Sequence, residues 1–359
     1  LKLSKSNIKN YNFFKTAKVK NYFQSLNYPS IKVIDKINGG KADSLNCGLN
    51  ISKYDIYCSL DSDTLLNESS LFNIMHPFET NKTVIASGGE IRIVNGCYIN
   101  NGKIIKIKPP KNILALTQCC EYSYSFIFGR IGWLTLKCPL ILSGAFSAYC
   151  KKYIIKIGGY SKVTIGEDME IILRLHSYMK KKKIHYNITH VPEAIGWSQA
   201  PQDFSTLKNQ RYRWHLGMGE SLFLHKSIFL NKSMGVIGYV AFPFALFIQF
   251  LSPIPQLIAY IFFITSYSFG FISSSIFFAF IFFSIILGTF ISLISLILDH
   301  YIFKIWQKKK YLFILFLGAI IENCGYRQLN LLWRFIAIFK FLINSKYKWG
   351  EMKRISAFN

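Results

Sequence analysis

Ile56-Tyr57-Cys58-Ser59-Leu60-Asp61-Ser62-Asp63 (IYCSLDSD) is the stretch whose reading decides the fold. A short apolar run closed by turn-forming residues reads as a buried strand. Two carboxylates, Asp61 and Asp63, follow its carboxyl end, where α/β sheets receive their ligands. Upstream, Ile31–Asp35 (IKVID) is a β-branched strand and residues 43–50 have a helical pattern. Downstream, Val84–Ala86 and Glu90–Val94 read as strands and Glu167–Met179 as a helix. Leu114–Leu136 is amphipathic and aromatic, suited to a helix on a membrane surface. Strands alternating with helices predict an α/β domain whose sheet is largely parallel and covered on both faces.

The second half has another composition. Ser233–Leu298 contains no Asp, Glu, Lys or Arg; that is roughly 66 residues, where one membrane helix needs about 20. Ile276–Leu298 is the cleanest span, and Val236–Ile272 is interrupted by Pro243, Pro253 and Pro255. Lys226 and Lys232 precede the block, and Lys304 and Lys308–Lys310 follow it. Basic flanks stay in the cytosol, so two crossings are expected between them. Tyr311–Ile321 and Leu329–Ile343 add a third apolar region, either a further span or an interfacial helix. The expected division is a cytosolic catalytic domain over 1–232 and a membrane domain over 233–359. The latter has two to three α-helical transmembrane segments and a basic C-terminal tail.

The 359 residues carry 43 Lys+Arg against 18 Asp+Glu, a formal charge of +25. The lysines are spread along the chain without an arginine-rich arm, which argues against a nucleic-acid partner. The bilayer is the expected basic-surface partner. None of the eight cysteines forms a C-x-x-C pair or lies at zinc-finger spacing from a histidine, so reduced buried thiols are expected.

Four constellations carry chemistry. Asp61 and Asp63 can hold Mg²⁺ or Mn²⁺, a cation that takes one or two carboxylates and leaves positions for phosphate oxygens. Asn38-Gly39-Gly40-Lys41-Ala42-Asp43 opens a helix, where backbone N–H groups and a lysine can approach a diphosphate. Gly166-Glu167-Asp168-Met169-Glu170 starts another helix, whose dipole keeps an acid ionised and so fit for general-base work. Gln210-Arg211-Tyr212-Arg213-Trp214 offers cations for phosphate oxygens and an indole on which a sugar can stack.

The order of these motifs resembles the membrane-bound family-2 glycosyltransferases: the poly-N-acetylglucosamine, cellulose, hyaluronan and chitin synthases. The stretches IDKINGGKADSLNCGLN, SLDSDTLL, ILSGAFSAY, IGGYSKVTIGEDMEIILRLH, NQRYRWHLG, ENCGYRQLNLLWR and KWGEMKR carry the resemblance. It extends over about residues 22–354 and is nearest the bacterial poly-N-acetylglucosamine branch. It implies a Rossmann-like GT-A domain and an inverting, metal-dependent transfer from a UDP-sugar to a growing β-linked polysaccharide. The sugar would be N-acetylglucosamine or glucose. Asp168 would be the catalytic base, and Asp61 and Asp63 the metal ligands. Lys41, Asp43, Asp61, Gln210 and Arg213 would bind the donor. Trp214, Ser143, Gly144 and Glu167 would bind the acceptor. The resemblance also implies a multi-pass protein of the cell (inner) membrane with room for an accessory membrane subunit. It further implies an opening strand–turn–strand unit with base-binding aspartates, whereas residues 1–30 contain no Asp. We therefore expect an N-terminally incomplete donor site. Transfer of a single sugar to a lipid carrier, or a non-catalytic remnant, are the alternatives the residues leave open.

Overall fold

The computed structural model describes residues 2–343; the KWGEMKR stretch and the rest of the basic tail lie outside the described residues. Strands β1 (Leu3–Lys5), β2 (Val19–Ser25) and β3 (Lys32–Lys36) make a small antiparallel sheet of their own. Then follow α1 (Lys41–Ile51), β4 (Ile56–Leu60), β5 (Leu65–Leu66), α2 (Ser70–Thr80) and β6 (Val84–Ile93). A hairpin of β7 (Tyr98–Asn100) and β8 (Lys103–Lys106) leads to α3 (Ile113–Tyr124), a π-helical turn (Ser125–Arg130) and α4 (Ile131–Thr135). The globular part closes with β9 (Phe146–Cys150), α5 (Lys151–Lys156), α6 (Glu167–Lys181), β10 (Asn187–Ser198) and α7 (Phe204–Leu224). The apolar half supplies α8 (Pro253–Ser268), α9 (Ser274–Phe303), α10 (Lys309–Ile321) and α11 (Arg327–Leu342).

The α/β reading holds, but the sheet is mixed rather than largely parallel. Its order is β4-β9-β6-β10-β5, and only β6 and β10 run parallel. The strand that reverses the pattern is β9, which pairs antiparallel with both β4 and β6. Its sequence, FSAYC, holds two aromatic strand formers but nothing local that fixes its direction between β4 and β6. Ile31–Asp35, read as a member of the main sheet, overlaps β3 of the small sheet instead. The two runs Val84–Ala86 and Glu90–Val94 are one continuous buried strand, because Gly88 and Gly89 do not interrupt it. A Cβ on Gly89 would lie 2.3 Å from the Phe146 ring and 2.7 Å from the Ala194 carbonyl oxygen. Glycine is there to let β9 and β10 close on β6.

Of the apolar half, α9 is by length and composition able to cross a membrane. The segment Ile237–Phe250 and α8 meet the same test together as a pair bent by 41°. The bend falls at Leu251–Ser252, just before Pro253 and Pro255, as proline chemistry requires. The third apolar region is two helices broken around Cys324–Gly325. Of these, α11 packs on α7, with Tyr326, Trp333 and Ala337 against Leu207, Tyr212 and Leu216. Helix α10 and the lower part of α9 pack on α3, β6 and β10, where Leu296, Tyr311 and Leu315 meet Ile93, Leu116 and Trp197. The apolar half is thus seated on the α/β half through separate hydrophobic clusters.

One ion pair lies inside that seam. Arg92 of β6 donates to Asp299 of α9 at 2.7 and 3.1 Å, and Asp299 is fully buried. The Phe303 ring covers the guanidinium at 4.5 Å. Removing one partner of such a pair strands the other charge, so Asp299→Ala should destabilise the protein by about 3–5 kcal/mol. Arg92 also lies 3.6 Å from the buried Glu90, so the apolar pair change Arg92→Met with Asp299→Leu should recover part of the lost Tm in detergent, with Glu90 left to His190. An Asp299→Ala Tm equal to that of the wild type would contradict the assignment.

Candidate functional site

The site forms where four chain segments meet at one edge of the main sheet. Strand β4 delivers Asp61, whose backbone N–H donates to the Ala145 carbonyl at 3.1 Å, so the Asp61 turn is tied to the Ser143-Gly144-Ala145 loop ahead of β9. Lys41, the first residue of α1, crosses to this point. Its ammonium contacts Asp61 Oδ1 at 2.7 Å and Glu167 Oε1 at 3.2 Å, and donates to the Gly144 carbonyl at 3.0 Å. Gly144 in turn donates its N–H to Asp168 Oδ2 at 3.3 Å. Asp168 and Glu167 open α6, which has no side-chain cap of its own. Five of the expected residues, Lys41, Asp61, Gly144, Glu167 and Asp168, therefore share one cluster, with Ser143 beside it. Asp63 is half-buried in the turn that follows Asp61.

Charge in the cluster is coupled to burial. Burial alone would lower the Lys41 pKa, but Glu167 and Asp61 outweigh it and the net shift is upward. Burial, followed by the neighbouring Asp168, raises Glu167, and Lys41 opposes the shift. Arg130 adds a second, half-buried cation. Burial depresses its pKa against the attraction of Glu90 and Asp168, and one of its terminal nitrogens has no hydrogen-bond partner.

Asp43, expected on the nucleotide, is fully buried. Its carboxylate accepts from the Ala17 N–H at 3.0 Å and pairs with Lys36 at 2.5 Å and with Lys162. It ties the small sheet and the loop before α6 to the start of α1. Burial would raise its pKa, yet the hydrogen bonds from Lys162, Lys36 and Ala17 outweigh that and bring it down to about 2.

Helix α7 presents the aromatic-basic motif. Trp214 is 43% exposed, with Tyr122 at 6.5 Å between ring centroids and the Arg211 guanidinium 4.5 Å from its ring. Gln210 is buried, and its Oε1 has no hydrogen-bond partner. Arg213 is half-buried one residue before Trp214. Arg211 turns inward to Glu121 at 2.6 Å and to the Tyr326 hydroxyl at 2.9 Å, and Tyr326 donates to Glu121 at 2.7 Å. Sequence reasoning missed Glu121, Tyr122 and Arg130. Their α3 region reads only as an amphipathic run, and nothing local marks them as facing Arg211 and Asp168.

The donor chemistry fits a hard divalent cation only in part. Asp61 and Asp63 offer carboxylate oxygens, as Mg²⁺ or Mn²⁺ prefers. Among the described residues no group of three or more His, Cys, Asp or Glu is arranged to hold a metal. Two carboxylates suit an ion whose remaining ligands are phosphate oxygens and water.

Residues 58–339 match the sequence model of the family described as glycosyl transferase family group 2. The poly-beta-1,6-N-acetyl-D-glucosamine synthase of Staphylococcus epidermidis is 29% identical over 192 residues, which cover 53% of this chain and 42% of that protein. The synthase of the same name from Staphylococcus aureus is 28% identical over 185 residues, or 52% of this chain and 40% of its own length. The matched part is thus less than half the length of these relatives. Among solved structures, a mannosyltransferase from Pyrobaculum calidifontis in complex with GDP-Man and Mn²⁺ aligns with a TM-score of 0.45 at 14% identity. That alignment covers 87% of this chain and 69% of the other.

The buried Asp43 yields a pH prediction. Its folded pKa lies below its unfolded value of 3.8, so its contribution is full above about pH 4 and is lost as pH falls through about 2. Asp43→Asn should cost about 2 kcal/mol at pH 7. The Tm gap to wild type should hold from pH 6 to about pH 4 and close between about pH 4 and pH 2. A gap that stays constant over that range would contradict the ionic role.

Proposed function

This chain belongs to glycosyl transferase family group 2, and from that membership we propose that it is a membrane hexosyltransferase elongating a β-linked polysaccharide from a UDP-sugar. N-acetylglucosamine is the favoured unit, since the staphylococcal relatives are named for its polymer; glucose is the second choice. The observation that carries the reading is the convergence of Lys41, Asp61, Gly144 and Asp168, from four segments, at one sheet edge.

In the proposed GT-A arrangement, Lys41 binds the donor diphosphate from the start of α1, with Asp61, Gln210 and Arg213 around it. Asp43 acts on the donor through the loop it holds, since its own carboxylate is taken up by Lys36, Lys162 and Ala17. Asp61 and Asp63 hold Mg²⁺ or Mn²⁺, which supplies positive charge for the leaving diphosphate. Trp214 stacks on the terminal acceptor sugar, with Ser143, Gly144 and Glu167 on the same side. Asp168 takes the proton of the acceptor hydroxyl as its oxygen bonds to the anomeric carbon. The bond from that carbon to the diphosphate oxygen breaks in the same displacement, and UDP leaves. A single displacement inverts the anomeric centre, so an α-linked donor gives a β-linked product.

The proposed location is the cell (inner) membrane, with the catalytic half cytosolic. Helix α9 and the bent pair would form two crossings, which keeps Lys226 and Lys304 on one side. Partners in this reading are the nucleotide-sugar, the glycan acceptor, the bilayer and an accessory membrane subunit.

The roles of Asp168 and Trp214 are separable. Asp168→Asn should keep UDP binding and lose transfer by about 10²–10⁴-fold, the usual contribution of a general base. Trp214→Ala should shorten the polymer most, while donor hydrolysis to free UDP suffers less. UDP release and product length in full-length protein are the measurements. Full-length polymer from Asp168→Asn would move the base elsewhere. Unchanged length with Trp214→Ala would favour single-sugar transfer to a lipid carrier.

A further inference from the structure

Helix α7 does more than display Gln210 and Trp214. Two turns further along, it touches the loop from which Glu167 and Asp168 emerge. Glu220 Oε2 accepts a hydrogen bond from the Ile165 backbone N–H at 2.7 Å. The Ser221 hydroxyl reaches the Gly166 carbonyl at 3.2 Å and the Gly217 carbonyl at 2.7 Å. Gly166 and Gly217 lie backbone to backbone: a Cβ on Gly166 would fall 2.6 Å from the Gly217 oxygen, and one on Gly217 would fall 2.7 Å from the Gly166 nitrogen. One turn beyond, His225 Nε2 meets Glu170 Oε1 at 3.0 Å, and Glu170 also holds Arg174 at 2.7 Å.

This joint has a definite consequence. Gly166 has non-helical backbone angles (φ −93°, ψ 58°), and α6 has no side-chain cap, so α6 itself does little to fix its first turn. The acceptor for the Ile165 N–H comes from α7. The same helix carries Trp214 six residues earlier, about 9 Å along its axis. One rigid element therefore sets both the sugar platform and the direction in which the acid-bearing turn leaves the loop. A misplacement of about 1 Å at a reacting group can cost about 10²-fold in rate, so the anchor of this loop matters to turnover without touching substrate.

We propose that Glu220 is a positioning residue for the transfer reaction, holding the Ile165–Gly166 loop on α7 so that Asp168 stands in fixed register with Trp214. This rests on the glycosyl-transfer reading above. Glu220 acts as a hydrogen-bond acceptor in this role, so an amide oxygen in its place serves nearly as well and a methyl does not.

The test uses the full chain in detergent or nanodiscs. It combines steady-state kinetics with amide hydrogen exchange over the peptide containing Ile165. Glu220→Ala should lower kcat by about 10–100-fold, leave the KM for UDP-sugar within about threefold, and speed exchange at Ile165. Glu220→Gln should restore both the protection and most of kcat. Ser221→Ala, a milder break in the same joint, should lower kcat in the same direction and keeps the test open should Glu220→Ala not fold. Wild-type protection at Ile165 in Glu220→Ala would overturn the proposal, as would unchanged kcat in that variant. Equal loss in Glu220→Gln and Glu220→Ala would also overturn it, because charge and not acceptance would then matter. If the wild-type chain transfers no sugar from any UDP-sugar, the transfer reading fails. The exchange comparison still decides whether Glu220 holds the loop.

Discussion

The Lys41 ammonium, lodged among Asp61, Glu167 and the Gly144 carbonyl, is the contact on which the site depends. Its three partners come from chain segments far apart in sequence. A partly buried charge is tolerated only when its hydrogen-bonding capacity is filled, and here an ammonium has three donors and three acceptors. Without it, Asp61, Glu167 and Asp168 would face one another with no nearby cation from α1. Each of those acids sits at the end of an element, one after β4 and two at the start of α6. Their spacing is therefore set by where the sheet and helix stop, and Lys41 makes that spacing electrostatically affordable.

The elements carrying the acids are themselves held from behind. Asp43 fastens α1 to the small sheet and to Lys162, while Glu220 and Ser221 fasten the α6 loop to α7. Helix α7 is in turn held by Arg211, Glu121 and Tyr326, a buried triangle joining α7, α3 and the break between α10 and α11. On the other side of the sheet edge, Arg92 and Asp299 join β6 to the long apolar helix. Polar contacts, the Arg92–Asp299 ion pair and the Tyr326 hydroxyl on Glu121 and Arg211, thus sit beside the apolar packing that joins the two halves. Such contacts tolerate little relative movement, because a shifted partner leaves a charge unpaired. Displacement of the apolar half would be felt at Trp214 through Arg211, which lies over its ring.

Much of this was legible in the sequence for local reasons. IYCSL ends at Leu60 with Asp61 next, as the strand–carboxylate reading requires, and α6 begins at Glu167 as an acid-rich helix start does. The uncharged block contains most of the long apolar helix α9, and its prolines mark the bend before α8. What stayed hidden was non-local. The antiparallel direction of β9 is not legible in FSAYC, because it is fixed by pairing with β4 and β6 on either side. The burial of Asp43 could not be read either, since a lysine-aspartate motif looks the same whether its acid faces a ligand or two lysines from elsewhere. Within QRYRW, spacing alone does not reveal that Arg211 turns inward while Trp214 faces out. That choice is made by Glu121 of α3 and by Tyr326 of the apolar half, both remote in sequence from α7.

We propose the Lys41–Asp61 cluster as a diphosphate site completed by a divalent cation, and calorimetric binding of UDP to the full chain, with and without Mn²⁺, for wild type, Asp61→Asn, Asp63→Asn and Lys41→Met tests it. Binding to wild type should depend on Mn²⁺ and weaken by at least about tenfold, or ~1.4 kcal/mol, in all three variants. Metal-independent binding of equal strength in wild type and in Asp61→Asn would contradict it.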